Sequence, residues 1–129
     1  MKKDLNIEIN QTTKGKLPSL PFLDMKEKVL GKKYELSISF IGAQKMRKIN
    51  REFRQKDYAT DILSFSLTKN SGELLIHLPK VRKNAPLFER NFEQHLRALV
   101  IHGMLHLKGM AHGSRMESME EKFSKIFRF

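Results

Sequence analysis

HLRALVIHGMLHLKGMAH, residues 95–112, is the stretch on which the reading of this chain turns. Leu96, Leu99, Val100 and Ile101 extend an apolar pattern begun at Phe88 and Phe92, and its helical period predicts one long helix over about 87–107. Gly109 then ends it, because glycine takes the left-handed conformation that closes helices at no steric cost. His102 and His106 lie four residues apart, so on a helix they project from one face a turn apart and both rings can reach one ion. The glycine turn lets the chain swing back and makes His112 a third vertex. Three neutral imidazoles suit Zn²⁺ or another divalent transition metal such as Ni²⁺ or Cu²⁺, one per chain. Three protein ligands leave a coordination position open, the pattern of catalytic sites. The plainer alternative is three helix-face histidines packed or hydrogen-bonded without an ion. His95 precedes His102 by two turns, roughly 10 Å, which puts it out of reach of a shared ion and predicts a role that is structural or that supports a metal ligand from behind. His77 can face either way.

Outward from this stretch, LNIEIN (5–10), YELSISFI (34–41), DILSFSL (61–67) and ELLIHL (73–78) alternate or run apolar as strands do. The short gap at Asn70-Ser71-Gly72 predicts that the last two form a hairpin. Helices are predicted at about 19–30, stopped by Gly31, at 43–54, and from Ser114, where S-x-x-E to Glu117 has capping-box spacing. KVRKNAP (80–86) reads as a loop. The order βαβαββαα predicts an α+β fold: a single mixed four-stranded sheet with helices packed on it, and the metal site at the C-terminal end of the long helix and the turn after it.

The chain has 129 residues, no repeat and no linker, so one domain over 1–129 is expected. No apolar run approaches the length that spans a bilayer, and the lysines of MKKDLNIEIN are not followed by the apolar core of a secretory signal. With zero cysteines, disulfides and thiolate metal sites are excluded, and a cytoplasmic protein is expected. Twenty-five Lys and Arg against 14 Asp and Glu give a net charge of +11, a field that attracts polyanions, nucleic acid foremost. The basic residues concentrate in the 43–54 helix, where Arg47, Arg51 and Arg54 form one stripe beside an apolar stripe of Met46, Ile49 and Phe53 that should face the core. Guanidinium forks bind phosphate oxygens bidentately, although a solvated basic face is the alternative for Arg47 and Arg51. Lys80, Arg82 and Lys83 would extend such a track or lie in a solvated loop.

The spacing H-x3-H-x2-G-x2-H matches that of the metzincin proteases in its histidines and glycine. Those enzymes carry a glutamate directly after the first histidine as general base. Gly103 occupies that position here, which argues against peptide hydrolysis of that type. Residues 102–112 also resemble the signature of the YbeY family of bacterial endoribonucleases, close to H-G-x-L-H-L-x-G-Y-D-H. His102, Gly103, Leu105, His106, Leu107, Gly109 and His112 match; Met110 replaces the usual aromatic and Ala111 the aspartate, so an acid beside the third histidine is missing. INREFRQKDYATDILSF (49–65) is similar to the family's L-N-x-x-Y-R-x-x-D-x-x-T-D-V-L-S-F, matching at Asn50, Arg54, Asp57, Thr60, Asp61, Leu63, Ser64 and Phe65, and GELLIH (72–77) is similar to its G-D-I-x-I strand.

The resemblance implies a metal-dependent, single-strand-specific endoribonuclease that acts in rRNA maturation, at the 16S 3′ end, and in ribosome quality control. Its partners would be single-stranded RNA and the ribosome or small subunit, with no membrane. The metal would sit on His102, His106 and His112, and Arg54 would hold the scissile phosphate or stabilise charge developing in the transition state. Thr60 and Asp61 are expected to fix the turn before the third strand, Ser64 to line the groove or be satisfied by backbone, and Phe65 to be core. Two other readings stand beside it: a metal-dependent hydrolase of another substrate class, and a non-catalytic ribosome assembly factor with a structural metal site.

Overall fold

The computed structural model describes residues 6–129. Leu5, which opens the predicted first strand, lies outside them. The strands are β1 (Ile7–Gln11), β2 (Glu35–Phe40), β3 (Ile62–Thr68) and β4 (Ser71–Ile76), and the helices are α1 (Phe22–Val29), α2 (Ala43–Arg54), α3 (Leu78–Asn84), α4 (Phe92–Leu107) and α5 (Ser114–Phe127). The sheet order is β1-β2-β4-β3. β1 and β4 both run parallel to β2, while β3 pairs antiparallel with β4 in the predicted hairpin. This is the mixed, four-stranded α+β architecture that the element order predicts.

The pleat sorts the side chains. Leu36, Ile38, Phe40, Leu74 and Ile76 point to one face and are buried with residues of α1, α4 and α5. Leu63 and Leu75 point to the other, where Ile41 and Met46 cover them from the α2 side. β3 is an edge strand, and α4 packs against it. Gly103 of α4 makes the approach close: a Cβ there would lie 2.8 Å from Leu74 Cδ2 and 2.9 Å from Ser64 Oγ. Beyond the end of α4, Lys108 Nζ donates to the Val29 carbonyl at 3.0 Å and ties that end to α1.

Four local expectations are corrected. Residues 80–86 are not a loop: α3 and a 3-10 turn over Ala85–Phe88 occupy them. Only Val81 and Ala85 of this segment are buried, so no helical apolar period announces it. α4 begins at Phe92, not near 87, because Asn91 and Gln94 form a reciprocal capping box there. Phe88, read as part of the helix's apolar surface, is 57% exposed, and Leu87, expected near its start, is 77% exposed. Ser114 is the first residue of α5 and not its cap; Gly113 stands at that position and no side chain caps the helix. Phe53 does not enter the core: it is 64% exposed and meets Phe65 edge-on at 5.4 Å, since α2 covers the sheet only around Leu63 and Leu75.

Candidate metal centre

Local sequence builds the histidine cluster. α4 presents His102 and His106 one turn apart, with ring centroids 4.6 Å from each other. Gly109 then adopts φ +102, its N–H bonds to the His106 carbonyl at 2.9 Å, and Met110 N–H bonds to the Leu105 carbonyl at 3.1 Å. This pair of bonds is a Schellman closure, and it turns the chain back over the last turn of α4. His112 consequently arrives with its ring 5.2 Å from that of His102 and 4.8 Å from that of His106. One nitrogen from each ring falls in a set whose members all lie within 4.8 Å of one another.

The hydrogen bonds determine which nitrogens are available. His102 Nδ1 lies 3.0 Å from Glu120 Oε2, and His106 Nδ1 lies 3.0 Å from the Met110 carbonyl. Both partners can only accept, so both Nδ1 atoms carry hydrogen and in the neutral rings both Nε2 atoms carry lone pairs. Those two Nε2 atoms face each other at 3.0 Å. In the neutral rings two lone pairs at that separation repel, so the pair calls for a proton or a metal ion between them. Ligand nitrogens on a tetrahedral zinc stand about 3.3 Å apart, so the pair needs little movement to share an ion. Burial, before the neighbouring histidines, lowers the pKa of His106 and favours the neutral ring that a metal requires. The donor set therefore fits a divalent transition metal.

The cluster lies in a cleft of about 550 Å³ that also takes in Arg54, Thr60, Asp61 and Ser64. The C-terminal end of α2 thus borders the same cleft as the last turns of α4. Ser64 Oγ lies 3.4 Å from the Gly103 carbonyl, so it both lines the groove and is satisfied by backbone. Asp61 accepts from Ile62 N–H at 2.7 Å and from Asn84 Nδ2 at 3.3 Å, which pins the turn into β3. Arg47 is bidentate to Asp57 at 2.8 and 3.0 Å, and Arg51 lies 3.5 Å from the same carboxylate. Hence only Arg54 of the predicted stripe is brought into the cleft. Arg82 is likewise engaged, stacked over the Phe92 ring at 4.1 Å. His95 is buried against Phe88 and Arg90, and His77 is buried with Nδ1 on the Ile41 carbonyl; neither belongs to the cluster.

Glu120 is absent from the residues that the spacing singled out. Its signal was present nevertheless. It falls on the same face of α5 as the buried Met116 and Phe123, and a carboxylate on a core-facing stripe needs a partner.

Residues 2–128 match the family model described as Endoribonuclease YbeY. The chain belongs to the YbeY family. A YbeY endoribonuclease of Chlorobium phaeovibrioides is 33% identical over 134 aligned residues, covering 95% of this chain and 90% of that protein. One from Halalkalibacterium halodurans is 32% identical over 107 residues, covering 70% of this chain and 67% of its own length. A solution structure of a protein from Thermotoga maritima superposes with a TM-score of 0.63 at 27% identity, over 92% of this chain and 87% of that one. Membership in the YbeY family makes the chain an RNA-cleaving hydrolase by kinship. No helix among the described residues is long and apolar enough to cross a membrane.

Proposed function

We propose that this chain is a metal-dependent endoribonuclease that cuts single-stranded RNA, with rRNA on the ribosome or its small subunit as the substrate, and with maturation of the 16S 3′ end and ribosome quality control as its cytoplasmic role. The observation that carries the reading is the pairing of two opposed Nε2 lone pairs, 3.0 Å apart, with Arg54 in one cleft. His102, His106 and His112 hold one divalent ion, Zn²⁺ or another transition metal that suits an all-imidazole donor set. When bound, that ion supplies Lewis acidity beside the scissile phosphodiester.

The protein's own groups do the remainder. Arg54 donates its fork to the non-bridging phosphate oxygens and offsets the charge that grows on them in the transition state. Gly103, where a zinc peptidase carries its glutamate, gives no side chain to the cleft, which supports phosphate over peptide chemistry. Asp61 keeps both oxygens on Ile62 and Asn84 and orders the wall of the groove. The net charge of +11 raises the local concentration of RNA.

The test is cleavage of a single-stranded rRNA fragment and of its duplex by the zinc-loaded chain, with His106→Ala and Arg54→Ala alongside. Cutting of the single strand alone, lost in both variants, is the expected result. Intact RNA with zinc-loaded wild-type protein would refute the nuclease reading and favour an assembly factor.

A further inference from the structure

We propose that Glu120 is a positioning residue of the metal centre: from α5 it holds the His102 ring with Nε2 turned to the ion, the task for which Ala111 provides no acid. This rests on the metal reading above.

The contact is built as such a role requires. Glu120 Oε2 lies 3.0 Å from His102 Nδ1, and the two side chains are 30% and 29% exposed, so the pair is shielded from most of the solvent. A carboxylate has no hydrogen to give, so the contact commits His102 to one tautomer. His106 is held differently, by the neutral Met110 carbonyl that the Gly109 turn delivers. Glu120 is thus the anionic partner of the cluster. An anion on the far nitrogen strengthens the near one as a ligand, as carboxylate–histidine–metal pairs do.

Glu120 is also firmly placed. Met116, one turn before it, is 1% exposed and Phe123, nearly one turn after it, is 3% exposed, both within the core that α4 shares. Their packing clamps α5 on both sides of the carboxylate. Ala111, by contrast, is an exposed methyl in the turn and can accept nothing. The acid has therefore reached the cluster from eight residues beyond His112, through the docking of α5, and the C-terminal helix becomes part of the metal centre.

The full-length chain and its Glu120→Ala and Glu120→Gln variants are compared in zinc affinity by chelator competition, in His102 ring-nitrogen chemical shifts without metal, and in melting temperature without metal. Glu120→Ala should weaken zinc binding about 10- to 100-fold and leave His102 in a mixture of tautomers. Glu120→Gln keeps the acceptor without the charge, so it should retain the tautomer and lose roughly 3- to 10-fold, the smaller share of the same effect. A Glu120 that merely ties α5 to α4 lowers the melting temperature but leaves zinc affinity within twofold of wild type, and that result overturns the proposal. Should Glu120→Ala not fold, unchanged affinity in the isosteric glutamine variant overturns it equally. A wild-type chain that takes up no zinc overturns the metal reading itself, whereas normal uptake by wild type and both variants overturns only the role of Glu120.

Discussion

Replacing Gly103 by alanine tests the seam on which the site is mounted. In an exposed helix this change stabilises by about 0.8–1 kcal/mol, because alanine restricts the unfolded chain and favours the helix. Here the added Cβ would stand 2.8 Å from Leu74 Cδ2, 2.9 Å from Ser64 Oγ and 3.3 Å from Ile62 Cδ1, against an optimum of about 3.5–4.0 Å for carbon contacts. Leu74 is 0% exposed, so its retreat would have to displace neighbouring core side chains. With two of the three approaches under 3.0 Å, the overpacking cost falls in the upper half of the usual range, about 2–3 kcal/mol, so the net expectation is destabilisation by about 1–2 kcal/mol, or roughly 3–8 °C in melting temperature for a chain of this size. Relief by displacement of α4 would also move His102, the adjacent residue, and weaken zinc binding. Circular-dichroism melts and urea titrations of the metal-free protein at neutral pH measure the first effect and chelator competition the second. A Gly103→Ala protein as stable as wild type, or more so, would show that helix and sheet do not meet as closely as described. Gly103→Glu, which restores the peptidase general base by sequence, should abolish folding, since it would bury a carboxylate among Leu74 and Ile62.

Arg54→Ala should lower single-strand cleavage by about 10²–10³-fold with little change in melting temperature, because Arg54 is exposed at the end of α2; a rate within threefold of wild type would remove Arg54 from the mechanism. Zinc at 100 times its dissociation constant stabilises by about 2.7 kcal/mol, so chelation should lower the wild-type melting temperature by roughly 10 °C and leave His106→Ala unmoved. Equal shifts in both would place the ion elsewhere. His95 has its pKa lowered by burial first and by the Arg90 charge second. The unfolded chain therefore binds the proton more readily, and stability of the metal-free protein should fall as pH drops below about 6.5; the decline should shrink in His95→Gln, and an identical profile would exclude His95 as its source. Finally, Asn91→Ala should cost about 1 kcal/mol through loss of the α4 cap while Ser114→Ala costs almost nothing, a contrast that urea unfolding resolves and that would disappear if the S-x-x-E box at 114–117 formed.

The sequence by itself determined what depends on neighbours along the chain. His102 and His106 share a face because a helix places residues four apart together, and Gly109 returns His112 because a left-handed residue closes the helix. The strand alternation that sorts Leu36, Ile38 and Phe40 from Ser37 and Ser39 is local in the same sense. Short elements with one or two buried residues, such as α3, left no period to read. Choices between rival caps, Asn91 against a start near 87 and Gly113 against Ser114, turned on backbone geometry that the residue types alone permit either way. Only the tertiary structure decided that Arg54 joins the cleft while Arg47 and Arg51 turn to Asp57, that Gly103 is glycine because the sheet lies against it, and that Glu120 serves His102 from a different helix. Each of these depends on the packing of elements far apart in sequence, where the deciding quantity is a distance in space that no spacing along the chain encodes.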